Sequence, residues 1–203
     1  GRTDIIVNAF TAVSLIPYLT SSMRTLLLSL LLTLLTALPA QAQLTSPPLS
    51  IAARTWLLVD FGSGQELAST NPEERIEPAS LTKLMTTYLS FAAIKQGTIK
   101  LNQTVPVSER AWKAQGSRMF IEPKRPVTVE ELLHGMIVQS GNDACIALAE
   151  LIGGSEEGFA QLMNREAQRL GLAHSQFRNA TGLPDPQHYT TARDLAKLTA
   201  ALI

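Results

Sequence analysis

Ser80 and Lys83 stand three residues apart in Pro78-Ala79-Ser80-Leu81-Thr82-Lys83-Leu84-Met85, at the mouth of an apolar, helix-like run. Residues i and i+3 share one face of a helix, so the lysine amine reaches the serine hydroxyl. An amine that takes a proton from a hydroxyl makes a nucleophile without histidine, which suits serine acyl transfer. The spacing alone is weak, because ordinary composition produces about one Ser-x-x-Lys in a chain of this size. Context strengthens it. Ser140-Gly141-Asn142 follows downstream, between two helix-like runs, and adds a second hydroxyl and a carboxamide. Ser69-Thr70-Asn71 has the same Ser-x-Asn spelling, but next to Pro72 its residues are ordinary turn formers.

The elements that must position these groups are legible around them. Arg54 to Asp60 reads as a strand, Gly62-Ser63-Gly64 as a turn, and Gln65 to Ser69 as the returning strand of a hairpin. Leu81, Leu84, Met85, Tyr88, Leu89, Ala92 and Ala93 recur at spacings of three and four, which predicts a helix from Ser80 to Gln96, closed by Gly97. Val105 to Phe120 reads as irregular, with a turn of helix near Ala111. Thr128-Val129-Glu130-Glu131 is a capping box that opens a helix through Val138. Asp143, directly after Asn142, reads as the cap of the next helix rather than as an acid, and that helix ends at Gly153-Gly154. Ser155 caps another helix that stops at Gly171, and Thr191-Ala192-Arg193-Asp194 caps a last one after the turn-rich stretch 179–188. Helices outnumber strands, and a lone hairpin is marginal, so the expected class is α+β with later strands of the sheet missing.

Composition and the N-terminal region bound the functions to consider. Residues 23–42 combine Arg24, the apolar run Leu26 to Leu38 and Ala40-Gln41-Ala42, the three parts of a secretory signal. The run is about 13 residues long, short of the roughly 20 that cross a bilayer. Residues 1–22 read as an upstream segment foreign to the fold, and 43–203 as one domain with a sizeable core. The expectation is therefore an exported protein, placed in the periplasm or on the outer face of the cytoplasmic membrane. Lys plus Arg and Asp plus Glu balance at 17 each, so no basic surface asks for nucleic acid. The single Cys145 forms no internal disulfide and reads as buried and inert. His134, His174 and His188 lack metal-ligand spacing and read as surface or capping groups, and no cofactor is expected. Trp112 and Met119 read equally as packing residues or as lining the approach to the site.

The extended words Pro78 to Thr86 and Ser140-Gly141-Asn142-Asp143-Ala144 resemble the serine D-alanyl-D-alanine carboxypeptidases, the low-molecular-mass penicillin-binding proteins. Phe159 with Met163-Asn164, Leu170-Gly171-Leu172, Gly182-Leu183 and Tyr189 to Asp194 extend the likeness from about Ala53 to Ile203. The resemblance implies a β-lactamase/transpeptidase-like antiparallel sheet flanked by helices, with 43–203 the N-terminal part of the catalytic domain. It implies that Ser80 forms an acyl ester with a peptidoglycan stem peptide ending in D-Ala-D-Ala and that β-lactam antibiotics acylate the same oxygen. Lys83 would accept the first proton and Ser140 would relay one to the leaving amine. Asn142 would hold Lys83 and a substrate amide, and the Ser80 N–H would supply half of an oxyanion hole.

No Lys-Thr-Gly occurs in residues 1–203, and the family's Lys-Thr-Gly strand is expected beyond Ile203, as is any C-terminal anchor, through which alone membrane contact is expected. The fragment is expected to fold poorly and to have little activity. A D,D-endopeptidase of cross-links would share every motif. A class A β-lactamase would read Ser-Asp-Asn and carry a later Glu-x-x-Asn, both absent here, and a non-catalytic binding module would not need four intact site residues.

Overall fold

The hairpin forms as β1 (Trp56–Val59) and β2 (Glu66–Thr70) in the computed structural model, which describes residues 51–203. The strands pair antiparallel, Trp56 opposite Thr70, with an irregularity between Leu58 and Val59. A 3-10 turn (Ala79–Thr82) runs straight into α1 (Lys83–Lys95). A short ladder follows, β3 (Thr104–Val105) against β4 (Val127–Thr128), enclosing the one-turn helix α2 (Glu109–Trp112). Then come α3 (Val129–Gln139), α4 (Asn142–Gly153), α5 (Glu156–Arg169) and α6 (Ala192–Leu202). The leader expected at 23–42 and the segment 1–22 lie outside the described residues. Among the described residues no helix is long and apolar enough to cross a membrane.

Helix α4 is the centre of the packing. Every residue from Asn142 to Ala149 is buried, because α4 touches α1, α2, α3 and α5 on different sides. Three alanines, Ala144, Ala147 and Ala149, keep its surface flat, so neighbours approach closely. Met85, Leu132, Met136, Leu148, Phe159 and Met163 fill the space between the helices. Each such side chain contributes about 2 kcal/mol by leaving water. The caps read from the sequence are in place: Thr128 Oγ1 accepts from Glu131 N, Ser155 Oγ from Gly158 N and Thr191 Oγ1 from Asp194 N. Gly154 ends α4 at φ 75°, the left-handed conformation that favours glycine.

The hairpin and α6 form a second layer. Arg193 at the start of α6 pairs with Glu66 Oε2 at 2.7 Å and with Glu73, tying the helix to the hairpin. The β3–β4 ladder was not read from the sequence: β3 ends at the first residue of the stretch read as irregular, and β4 lies against the capping box at Thr128. Two residues per strand carry no alternation to detect, and the pairing joins positions more than twenty residues apart. The turn of helix expected near Ala111 is α2, capped by Ser108.

Candidate active site

Ser80 sits in the first turn of the continuous helix that begins at Ala79, where backbone N–H groups have no partner inside the helix. Ala79 itself adopts φ 46°, a left-handed conformation that costs a residue with a Cβ about 1–2 kcal/mol. Such strain persists only where the surroundings hold it, and it directly precedes the exposed Ser80. Lys83, one helical turn on, is only 7% exposed. Its Nζ donates to Asn142 Oδ1 at 2.8 Å and to Thr181 O at 2.9 Å, and lies 3.3 Å from Ser80 Oγ.

These three partners are chemically unequal. The two carbonyl oxygens only accept, so they hold two N–H bonds whether the amine is charged or neutral. The Ser80 hydroxyl accepts or donates. In the neutral amine the remaining lone pair faces Ser80 Oγ, which is the arrangement for taking its proton. Burial pushes the Lys83 ammonium below the ordinary lysine value. Cys145 is fully buried, and burial pushes its thiol up to about 12, so it stays protonated and unreactive.

Ser140 ends α3 in a left-handed conformation, φ 57°, which turns its hydroxyl back to within 3.2 Å of Ser80 Oγ. Ser80 Oγ thus lies between an amine and a second hydroxyl. Asn142 is buried at the first position of α4. Its Oδ1 receives Lys83, while its Nδ2 donates to Gln115 O at 2.7 Å. The carboxamide thus bridges the lysine amine and a backbone carbonyl of the segment before α3.

Much of the support comes from residues 179–188, read from the sequence as a turn-rich loop that carries the Gly182-Leu183 match but no named role at the site. Thr181 O takes Lys83, and Ala180 O accepts from Thr86 Oγ1 at 2.7 Å. Gly182, at φ 86°, lies so close that a Cβ there would sit 1.7 Å from Ala79 O. Glu156 holds the loop from the other side: its Oε1 accepts from Ala180 N at 3.1 Å, and its Oε2 pairs with Arg110 at 2.6 Å. Asn179 Oδ1 accepts from Gly182 N at 2.7 Å, an Asx-type turn whose Asn-x-x-Gly spelling was the available signal.

Two readings are corrected. His188 is neither a surface nor a capping group: it is 3% exposed, with Nε2 2.8 Å from Thr82 Oγ1. Asp143 does not cap α4, whose N-cap is Gly141; it lies inside the first turn, fully buried. Its Oδ1 accepts from Met119 N at 3.0 Å, and its Oδ2 from Phe120 N at 2.7 Å and Ile121 N at 3.2 Å. One carboxylate therefore fastens residues 119–121 to the Ser140-Gly141-Asn142 turn. Trp112 is half-exposed and stacks with Lys113, whereas Met119 packs over Gly135. Among the described residues no group of three or more His, Cys, Asp or Glu side chains converges as metal ligands would.

A helical cluster beside an antiparallel hairpin, with serine and lysine on the first turns of the helix against the cluster, is the layout of the transpeptidase/β-lactamase-like penicillin-binding fold. The penicillin binding protein 5 of Haemophilus influenzae superposes with a TM-score of 0.74 at 43% identity, over 76% of this chain and 46% of that one. Penicillin-Binding Protein D2 from Listeria monocytogenes, solved in an ampicillin-bound form, matches with a TM-score of 0.70 at 27% identity, over 77% of this chain and 62% of that one. Residues 41–203 match the profile of the D-alanyl-D-alanine carboxypeptidases, and the chain belongs to that family. The D-alanyl-D-alanine carboxypeptidase DacC of Escherichia coli is 45% identical over 174 residues, 83% of this chain. The chain spans 43% of the length of that relative.

Proposed function

We propose that this chain carries the acylation centre of a serine D-alanyl-D-alanine carboxypeptidase that trims peptidoglycan stem peptides. The observation that carries the reading is Ser80 Oγ set between a buried, desolvated amine at 3.3 Å and a second hydroxyl at 3.2 Å. Family membership supplies the substrate class. Lys83 takes the Ser80 proton as Oγ attacks the carbonyl of the penultimate D-alanine. The tetrahedral intermediate collapses, the C–N bond breaks, and Ser140 passes a proton to the departing D-alanine amine. Water then cleaves the ester and regenerates Ser80. The N–H of Ser80, in a helical first turn, offers one donor to the developing oxyanion. β-Lactams acylate the same oxygen, since their strained amide stands in for the scissile D-Ala-D-Ala bond. The secretory signal read at 23–42 supports export to where that substrate lies.

Intact mass after penicillin treatment of the full gene product tests the reading. A single adduct that maps to Ser80, with D-alanine released from a stem pentapeptide, is expected. Absence of both would end it, and rapid turnover of penicillin without D-alanine release would point to a β-lactamase.

The lysine role has its own test. Only the neutral amine accepts a proton, so acylation should rise with pH through a value below the ordinary lysine pKa. Lys83→Arg keeps the charge but cannot shed it, and acylation should fall by about 10²–10⁴-fold and lose that rise. An undiminished rate in stopped-flow acylation would remove Lys83 as the base.

A further inference from the structure

His188 contributes the one imidazole that touches the nucleophile turn, and nothing in the chemistry above uses it. It reaches Thr82, which lies between Ser80 and Lys83 and is itself fully buried. The hydrogen bonds fix the ring's tautomer. Arg178 N is an obligate donor and lies 3.2 Å from Nδ1, so Nδ1 accepts and carries no hydrogen. The hydrogen therefore sits on Nε2, which donates to Thr82 Oγ1 at 2.8 Å. The Phe177 ring meets the imidazole edge to face, with centroids 5.7 Å apart. The backbone N–H of His188 donates to Asp185 O at 2.9 Å, which closes the loop on itself.

We propose that His188 is a positioning residue for acylation: its neutral, Nε2-protonated ring fixes the turn that carries Ser80 and Lys83, and a second proton on the ring releases that turn. The inference rests on the reading of Ser80 as the acylated serine. A proton on Nδ1 would set two donors, ring N–H and Arg178 N–H, against each other, and one must move away. The loop that would move also carries Thr181 O, one of the two carbonyl partners of Lys83. Releasing His188 therefore loosens both the serine turn and the lysine's anchor.

The ionisable groups around the ring are Asp185 and Arg178 on its own loop and Lys83 on α1, next in sequence to Thr82. Arg178 Nε lies 4.0 Å from Asp185 Oδ2, so the two largely answer each other. Burial holds the imidazole below its ordinary value and Asp185 raises it in part, so the ring is neutral at neutral pH. The sign follows. The folded pKa lies below the unfolded one, so the contribution is complete above the ordinary histidine value and is lost as pH falls through the folded one.

The test uses the full gene product, a fluorescent penicillin, and the variants His188→Ala and His188→Gln across a pH series. Glutamine places an N–H donor near the position of Nε2 and has no proton to gain. His188→Ala should lower the acylation rate constant about tenfold, a misplacement effect, with the affinity of the non-covalent complex unchanged. His188→Gln should recover most of the rate and lose the acid-side step that the unmodified protein shows. Imidazole 15N resonances of the unmodified protein should report a protonated Nε2 and a bare Nδ1. Equal rates and equal pH profiles for His188→Ala and the unmodified protein would overturn the inference. So would a His188→Gln variant that keeps the acid-side step, which decides the matter if the alanine variant does not fold. Failure of the unmodified protein to form an adduct on Ser80 would overturn the proposed function and this inference together.

Discussion

A Ser80→Ala protein should melt within a few degrees of the unmodified one and form no covalent adduct with penicillin. The side chain is exposed, and its two hydrogen-bond partners, Lys83 Nζ and Ser140 Oγ, each keep access to water or another group. Its removal leaves no buried polar atom orphaned, so about 1 kcal/mol or less is at stake. On the proposed reading the reaction depends on it entirely, because the acyl ester would form on that oxygen, and the Ser140 hydroxyl, 3.2 Å from it, is a separate group. Loss of a nucleophile in a comparable hydrolase costs about 10⁶-fold. D-alanine release should fall to background, and intact mass should show the unmodified chain alone. An adduct that formed at the normal rate would move the nucleophile elsewhere, with Ser140 the first residue to examine.

Gly182→Ala should do the reverse in one respect: it removes none of the reacting groups and disables them by displacement. A Cβ at this position would lie 1.7 Å from Ala79 O and 2.8 Å from Thr82 Oγ1, and a Cβ has no rotamer by which to escape. The backbone is also at φ 86°, where an L side chain is strained. Either the loop or the serine turn must shift, and each movement separates Thr181 O from Lys83. About 4 kcal/mol of stability should be lost from clash and strain together. Acylation should fall by at least about 10²-fold through misplacement. Gly171→Ala is the matched control. Its φ is 69° but nothing lies within 4 Å of the new methyl, so only the backbone cost of about 1 kcal/mol remains. Chemical denaturation and stopped-flow acylation of both variants would decide it, and equal losses would show that strain, not contact, governs Gly182.

The contrast between what the sequence revealed and what it hid follows from how each contact is encoded. Ser80 and Lys83 were legible because a helix converts a spacing of three into a shared face. The caps at Thr128, Ser155 and Thr191 were legible because a hydroxyl and an acidic first turn mark a helix start. Thr181 was invisible, because it serves Lys83 through a backbone carbonyl, which every residue type possesses. His188 and Thr82 are separated by 106 positions, and only the completed fold brings them together. Asp143 was misread for a related reason. A buried aspartate and a capping aspartate look alike in sequence near a helix start, and the three amides that separate them come from a distant segment. The β3–β4 ladder, two residues to a strand, is too short for any periodicity.

The carboxylate of Asp143 sets how the amides of residues 119–121 exchange with solvent. Phe120 turns its ring outward, 71% exposed, while its amide hydrogen is held by a carboxylate in the middle of the helical cluster. Side-chain exposure and amide protection should therefore diverge there. In deuterium exchange the amides of Met119, Phe120 and Ile121 should open at the free energy of α4 rather than as loop amides do. By that measure the segment that carries the exposed Phe120 ring belongs to the core.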